Sequence, residues 1–147
     1  MFPRHSPGRT AEPDRPGSAA AVPEVRKLAE YIQAAKFRDI SPAAVEQLKI
    51  RVLDTLGVAI AALDAPPMVA IRALTRSLGG NADATLIGGG RSAIDRAAFH
   101  NIALSRYLDF MDSYLAPGET CHPSDNIGAV LAAAESVGAS GKDFLTA

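Results

Sequence analysis

The chain has 147 residues, 48% of them hydrophobic, with a formal net charge of −1. That is one domain's length with apolar content ample for a core, and the charge balance carries no nucleic-acid signature. Apolar runs such as Val58 to Leu63 are far too short to span a bilayer, and the single cysteine, Cys121, excludes a disulfide scaffold. A cytoplasmic protein with no membrane association is the simplest expectation.

Residues Met1 to Val22 hold Pro3, Pro7, Gly8, Pro13, Pro16 and Gly17 among scattered charges, with Phe2 the one large apolar residue besides the initiator Met1 before Val22. Such a segment cannot bury enough surface to fold, so positions 1–22 are expected to be a disordered tail and 23–147 the folded domain. Arg4, Arg9 and Arg15 faintly suggest a transit peptide, but Glu12, Asp14 and the prolines argue against one.

A first helix is predicted from Pro23, with Val25, Leu28, Ala29 and Ile32 on one face. Ser41-Pro42 starts a long second helix along Val45, Leu48, Val52, Leu56, Ala59 and Ile60, reaching about Leu63. Gly57 inside it costs about 1 kcal/mol relative to alanine and implies close packing by another helix. Pro66-Pro67 starts a third helix, its stripe Met68, Ile71, Leu74 and Leu78 ended by Gly79-Gly80. Ala84 to Ile87 reads as a short extended piece. Gly88-Gly89-Gly90 lacks the lysine and the strand-to-helix context of a phosphate loop and reads as a flexible connection.

Ser92 and Asp95 resemble a capping box for a fourth helix through Ile94, Ala98 and Ile102, with His100 off its stripe and either structural or exposed. Extending that stripe at about 100° per residue brings Ser105 and then Asp109 onto the buried face, a carboxylate partly withdrawn from water. Pro117-Gly118 requires a turn, and His122-Pro123-Ser124-Asp125 opens a fifth helix with Ser124 as N-cap and Ile127, Val130, Leu131, Ala134 and Val137 as its stripe. His122 beside a helix N-terminus is favoured as the neutral, proton-accepting imidazole, and the free N–H groups there suit a substrate carboxylate. Ser140 to Asp143 is a final capping box, opening a helix with a beginning and no end in the sequence. The prediction is an all-α bundle of five or six helices.

The polar chemistry is gathered in one stretch, Asn101 to Asn126, with Asp109, Asp112, Ser113, Tyr114, Cys121, His122 and Ser124. The blander reading has Asp109 cap its helix or pair with Arg106, Asp112 solvated in a turn, His122 an ordinary loop histidine and Cys121 a small buried residue.

The run LDFMDSYLAPGETCHPSDN, preceded by Asn101 and followed by Leu131-Ala132-Ala133-Ala134-Glu135, resembles the MmgE/PrpD family, which includes 2-methylcitrate dehydratases and cis-aconitate decarboxylases. The likeness runs from roughly Leu28 to the end. It implies a lyase acting on a small di- or tricarboxylate by proton removal next to a carboxylate, most closely a hydro-lyase of the 2-methylcitrate dehydratase kind in propionate catabolism, without metal or cofactor. Decarboxylase-like or isomerase activity is the alternative chemistry.

The matching catalytic positions are Asp109, to handle a proton or place the substrate, Ser113, where many relatives have threonine, to donate to a carboxylate, and His122, to transfer a proton or orient the substrate. Asp112 matches the second acid and, with Ser124, is assigned to substrate binding. A mononuclear metal site on Asp109, Asp112 and His122 is the minor variant. Met111 stands where relatives carry Asp or Asn, and Glu119-Thr120-Cys121 departs from the smaller residues usual before the histidine. Family enzymes continue beyond this length and are commonly homodimers, so the resemblance implies an N-terminal portion associating with a second copy or a missing C-terminal portion. The competing expectation is a non-catalytic helical fragment, or one half of a split enzyme.

Overall fold

The computed structural model describes residues 23–147, and the expected tail, 1–22, lies outside the described residues. The chain divides into two units after Ala34. Within the first, α1 runs over Pro23–Ala34, with proline at its first position and Val25, Leu28 and Ile32 on one face.

The second unit is built from α2 (Pro42–Ala61), α3 (Pro66–Ser77), α4 (Ile94–Tyr107), α5 (Ile127–Ser136) and α6 (Gly141–Thr146). Two short hairpins interrupt the helices: β1 (Ala84–Thr85) with β2 (Arg91–Ser92), and β3 (Tyr114–Ala116) with β4 (Glu119–Cys121). The described residues are thus mostly helical, as the apolar periodicity implied. No single helix among them is long and apolar enough to cross a membrane.

Local signals start several elements where they were read. Ser41 Oγ accepts from Ala44 N at 3.2 Å and caps α2. Ser140 and Asp143 form a complete capping box on α6, Asp143 N donating to Ser140 Oγ at 3.3 Å and Ser140 N to Asp143 Oδ2 at 3.1 Å. The expected box at Ser92 and Asp95 does not form. Ser92 is consumed by β2, where its carbonyl accepts from Asp83 N at 3.1 Å, and Ala93 is the N-cap of α4 without a side-chain bond.

The core has two centres. Ala59 and Ala62 at the end of α2, Met68 of α3 and Leu104 of α4 form one, and Ala84, Leu86, Ala97 and Ala132 form the other. Helix α4 belongs to both and packs most extensively against α5, then against α2 and α3.

The close helix approach falls at Gly128 rather than at Gly57. A Cβ at Gly128 would lie 2.8 Å from the backbone N of Ile102, whereas Gly57 has no atom within 4 Å of such a Cβ. The centre formed by α2, α3 and α4 therefore does not need Gly57, and the α4–α5 crossing does need Gly128.

Candidate functional site at the second hairpin

The crossing at Gly128 lays the start of α5 over the middle of α4, so the segments after α4 and before α5 meet. Helix α4 ends at Tyr107, Leu108 is its C-cap, and Asp109 takes a left-handed conformation with φ 56°. That backbone turn, with Asp109 N donating to Arg106 O at 3.3 Å, closes the helix where glycine or asparagine usually stands. It also corrects the expected burial of Asp109. Because the helix stops two residues earlier, the side chain leaves the stripe and is 77% exposed, 3.6 Å from Arg106 Nη1. The same guanidinium nitrogen donates to Met111 Sδ at 3.3 Å.

Beyond Ser113 the chain forms the β3–β4 hairpin, with Tyr114 opposite Cys121 and Ala116 opposite Glu119. Pro117 fixes a negative φ and Gly118 supplies φ 84°, the residue order of a type II turn. Cys121, expected to be buried, is exposed on this hairpin, as is the rest of β4.

The hairpin brings the two ends of the site together. His122 Nδ1 lies 2.7 Å from the main-chain oxygen of Asp112. A carbonyl oxygen only accepts, so Nδ1 carries the hydrogen and donates, leaving Nε2 with the lone pair in the neutral ring. The Asp112 carboxylate in turn accepts from Ser124 N at 3.1 Å and from the Ser124 hydroxyl. One residue thus fixes both His122, through its backbone, and Ser124, through its side chain.

The entry to α5 differs from the expected single helix start. Pro123–Asn126 form a turn of 3-10 helix with His122 as its N-cap residue, and Ser124 is buried inside that turn. Its N–H groups are already engaged: proline has none, Ser124 N donates to Asp112, and Asp125 N donates to His122 O at 3.0 Å. The expected carboxylate cradle at this terminus is therefore spent on holding the histidine segment in place.

Among the five residues singled out, the structure joins Asp112, His122 and Ser124 directly. Asp109 and Ser113 flank them on exposed backbone. Asp112 and Ser124 line a cleft of about 240 Å³, together with Arg51, Leu48, Val130 and Phe144 among others. His122 stands outside that cleft. Among the described residues no three His, Cys, Asp or Glu side chains are grouped as metal ligands.

Asn101, outside the expected site residues, is a latch. It is buried, its Oδ1 accepts from Ile87 N at 2.9 Å, and its Nδ2 donates to Thr85 O at 2.9 Å. The first hairpin is thereby pinned to α4, and the signal was a buried amide on an apolar helix face.

Residues 26–147 match the MmgE/PrpD N-terminal domain. The chain belongs to the MmgE/PrpD family. Within that family it is 33% identical over 135 residues to the 2-methylcitrate dehydratase of Escherichia coli (strain K12), covering 84% of this chain and 26% of that protein. It is 36% identical over 116 residues to the 2-methylcitrate dehydratase of Cupriavidus necator, covering 74% of this chain and 22% of the relative. The enzyme of the same name from Salmonella typhi is 33% identical over 120 residues, 76% of this chain and 23% of the relative. The chain thus spans about a quarter of the length of the curated relatives it matches. In this MmgE/PrpD domain the hairpin segment joins the histidine and the second acid.

Proposed function

We propose that this chain carries the proton-transfer part of a lyase site of the 2-methylcitrate dehydratase kind, acting on a small di- or tricarboxylate. The observation that supports it best is the 2.7 Å bond from His122 Nδ1 to the Asp112 carbonyl, which leaves Nε2 as a base. In this reading Nε2 takes the proton from the carbon next to a substrate carboxylate. The C–H electron pair becomes the new carbon–carbon double bond, and the hydroxyl on the neighbouring carbon leaves with its own bonding pair. The imidazolium returns its proton to that hydroxide, so water departs and the imidazole is regenerated.

Ser113 donates to a substrate carboxylate, and Asp109 accepts from the hydroxyl that leaves. Asp112 keeps the imidazole in the required tautomer while Ser124 keeps Asp112 in place. The left-handed Asp109 fits this reading, because non-glycine residues held at positive φ gather at functional sites.

A second reading, one half of an assembled site, is favoured by the surroundings of these residues. Phe110, Tyr114 and Leu115 are 73%, 61% and 76% exposed beside them. Apolar side chains at such exposure around a polar centre suit cover by further polypeptide. Under it the groups named above keep their roles, and turnover belongs to the assembled protein.

The test is ¹⁵N NMR of the His122 imidazole during titration with 2-methylcitrate. The lyase reading expects a saturable change at His122 Nε2 that Ser113→Ala weakens at least several-fold. No change at any concentration would remove substrate binding from this chain alone and leave the assembled site as the reading to pursue.

A further inference from the structure

The lyase reading leaves a second polar cluster unused. Arg72 of α3 is largely buried, and its Nε and Nη2 find no hydrogen-bond partner among the described residues. His100 of α4 is wholly buried, and its Nε2 likewise has none. Buried polar atoms are nearly always satisfied, and a buried charge is costly unless something of opposite charge meets it.

The surroundings hold these groups in place. His100 Nδ1 is 3.2 Å from Asn101 Oδ1, an oxygen that already accepts from Ile87 N, so Nδ1 donates and Nε2 points to the other side of the ring. The Arg72 guanidinium lies against the glycine turn. A Cβ at Gly88, where φ is 91°, would meet both Leu63 Cδ2 and Arg72 Nη2, so glycine suits the close approach of these two side chains to the turn. Arg76 follows one turn later on α3 with its side chain reaching solvent.

We propose that Arg72 and His100 form a site for a small oxyanion between α3 and α4, with Arg76 at its rim. The guanidinium edge bearing Nε and Nη2 offers two parallel N–H groups, which match two oxygens of a phosphate or carboxylate. His100 Nε2 accepts from a protonated oxyanion or, once the ring is protonated, donates to it. Burial and the two arginines hold the imidazole below its ordinary range, and a bound anion relieves the arginine contribution. Anion binding and proton uptake at His100 are therefore coupled, each favouring the other.

The experiment titrates the 147-residue chain with inorganic phosphate, citrate and, at matched ionic strength, chloride, following the His100 imidazole nitrogens by ¹⁵N NMR at fixed pH. The expected result is a saturable change at His100 with an oxyanion, at least tenfold weaker in Arg72→Met and partly restored in Arg72→Lys. A response to phosphate alone identifies an inorganic oxyanion, and a response to citrate alone identifies a carboxylate ligand. Should Arg72→Met fail to fold, Arg76→Gln is expected to weaken the same response while the wild-type titration still decides the matter. A His100 signal unmoved by any oxyanion, or moved equally by chloride, overturns the proposal and assigns these atoms to water. Signals from His122 are separate, so failure here and failure of the lyase reading are told apart.

Discussion

Asp109 sits at φ 56°, a conformation that disfavours any side chain bearing Cβ by about 1–2 kcal/mol, somewhat less for aspartate. Asp109→Gly is therefore expected to raise stability by about 0.5–1 kcal/mol in urea unfolding while, on the proposed lyase reading, lowering turnover. A variant that gains stability and keeps full turnover would reduce Asp109 to a helix terminator. His100 makes a second prediction, through pH. Desolvation, followed by the nearby arginines, lowers its proton affinity below the usual 6.5, so the unfolded chain binds the proton more readily. Its stabilising share is then complete above about pH 6.5 and is lost as pH falls from there through the folded-state value. Unfolding midpoints in phosphate-free buffer should decline over that window in the wild type and stay level in His100→Gln. Asp143, held low by its bonds to Ser140, acts in a separate and more acidic window.

Elements were legible where their signals are local and opaque where they depend on distant packing. Ser41 and the Ser140–Asp143 box place helix starts because a cap acts within three residues. The α4 stripe was extended through Asp109 because periodicity alone does not show where a helix stops. Ser92 looked like a cap, but its pairing across the first hairpin, opposite Ala84, is set by a partner eight residues away. The β3–β4 hairpin was seen only as a turn, since Pro117-Gly118 announces a reversal while Tyr114–Ala116 and Glu119–Cys121 are too short to show alternation. Gly57 and Gly128 look alike in the sequence and differ by what crosses them. Gly128→Ala should destabilise by about 1–3 kcal/mol, because backbone of α4 stands in the way. Gly57→Ala should stabilise by about 1 kcal/mol, because only helix propensity changes there. Equal effects of the two substitutions in thermal unfolding would contradict the assigned crossing.

Across the molecule, the polar residues of the candidate lyase site are visible in the sequence as a cluster between Asn101 and Asn126, but their connections are not. The bond from His122 to the Asp112 carbonyl spans ten residues and exists only because the hairpin folds back. The same applies to Asp112 and Ser124, whose pairing turns the expected anion cradle into a scaffold for the histidine. Family membership is carried by 26–147, and the match to the Escherichia coli relative covers 26% of that protein, so the roles proposed here concern this portion alone. The most direct measurement is dehydration of 2-methylcitrate by the protein isolated from its own cells, followed by ultraviolet absorbance of the new double bond, for the wild type and for His122→Gln. The account predicts that His122→Gln loses about 10²–10⁴-fold in kcat with its circular dichroism unchanged. Wild-type turnover in that folded variant would contradict His122 as the base.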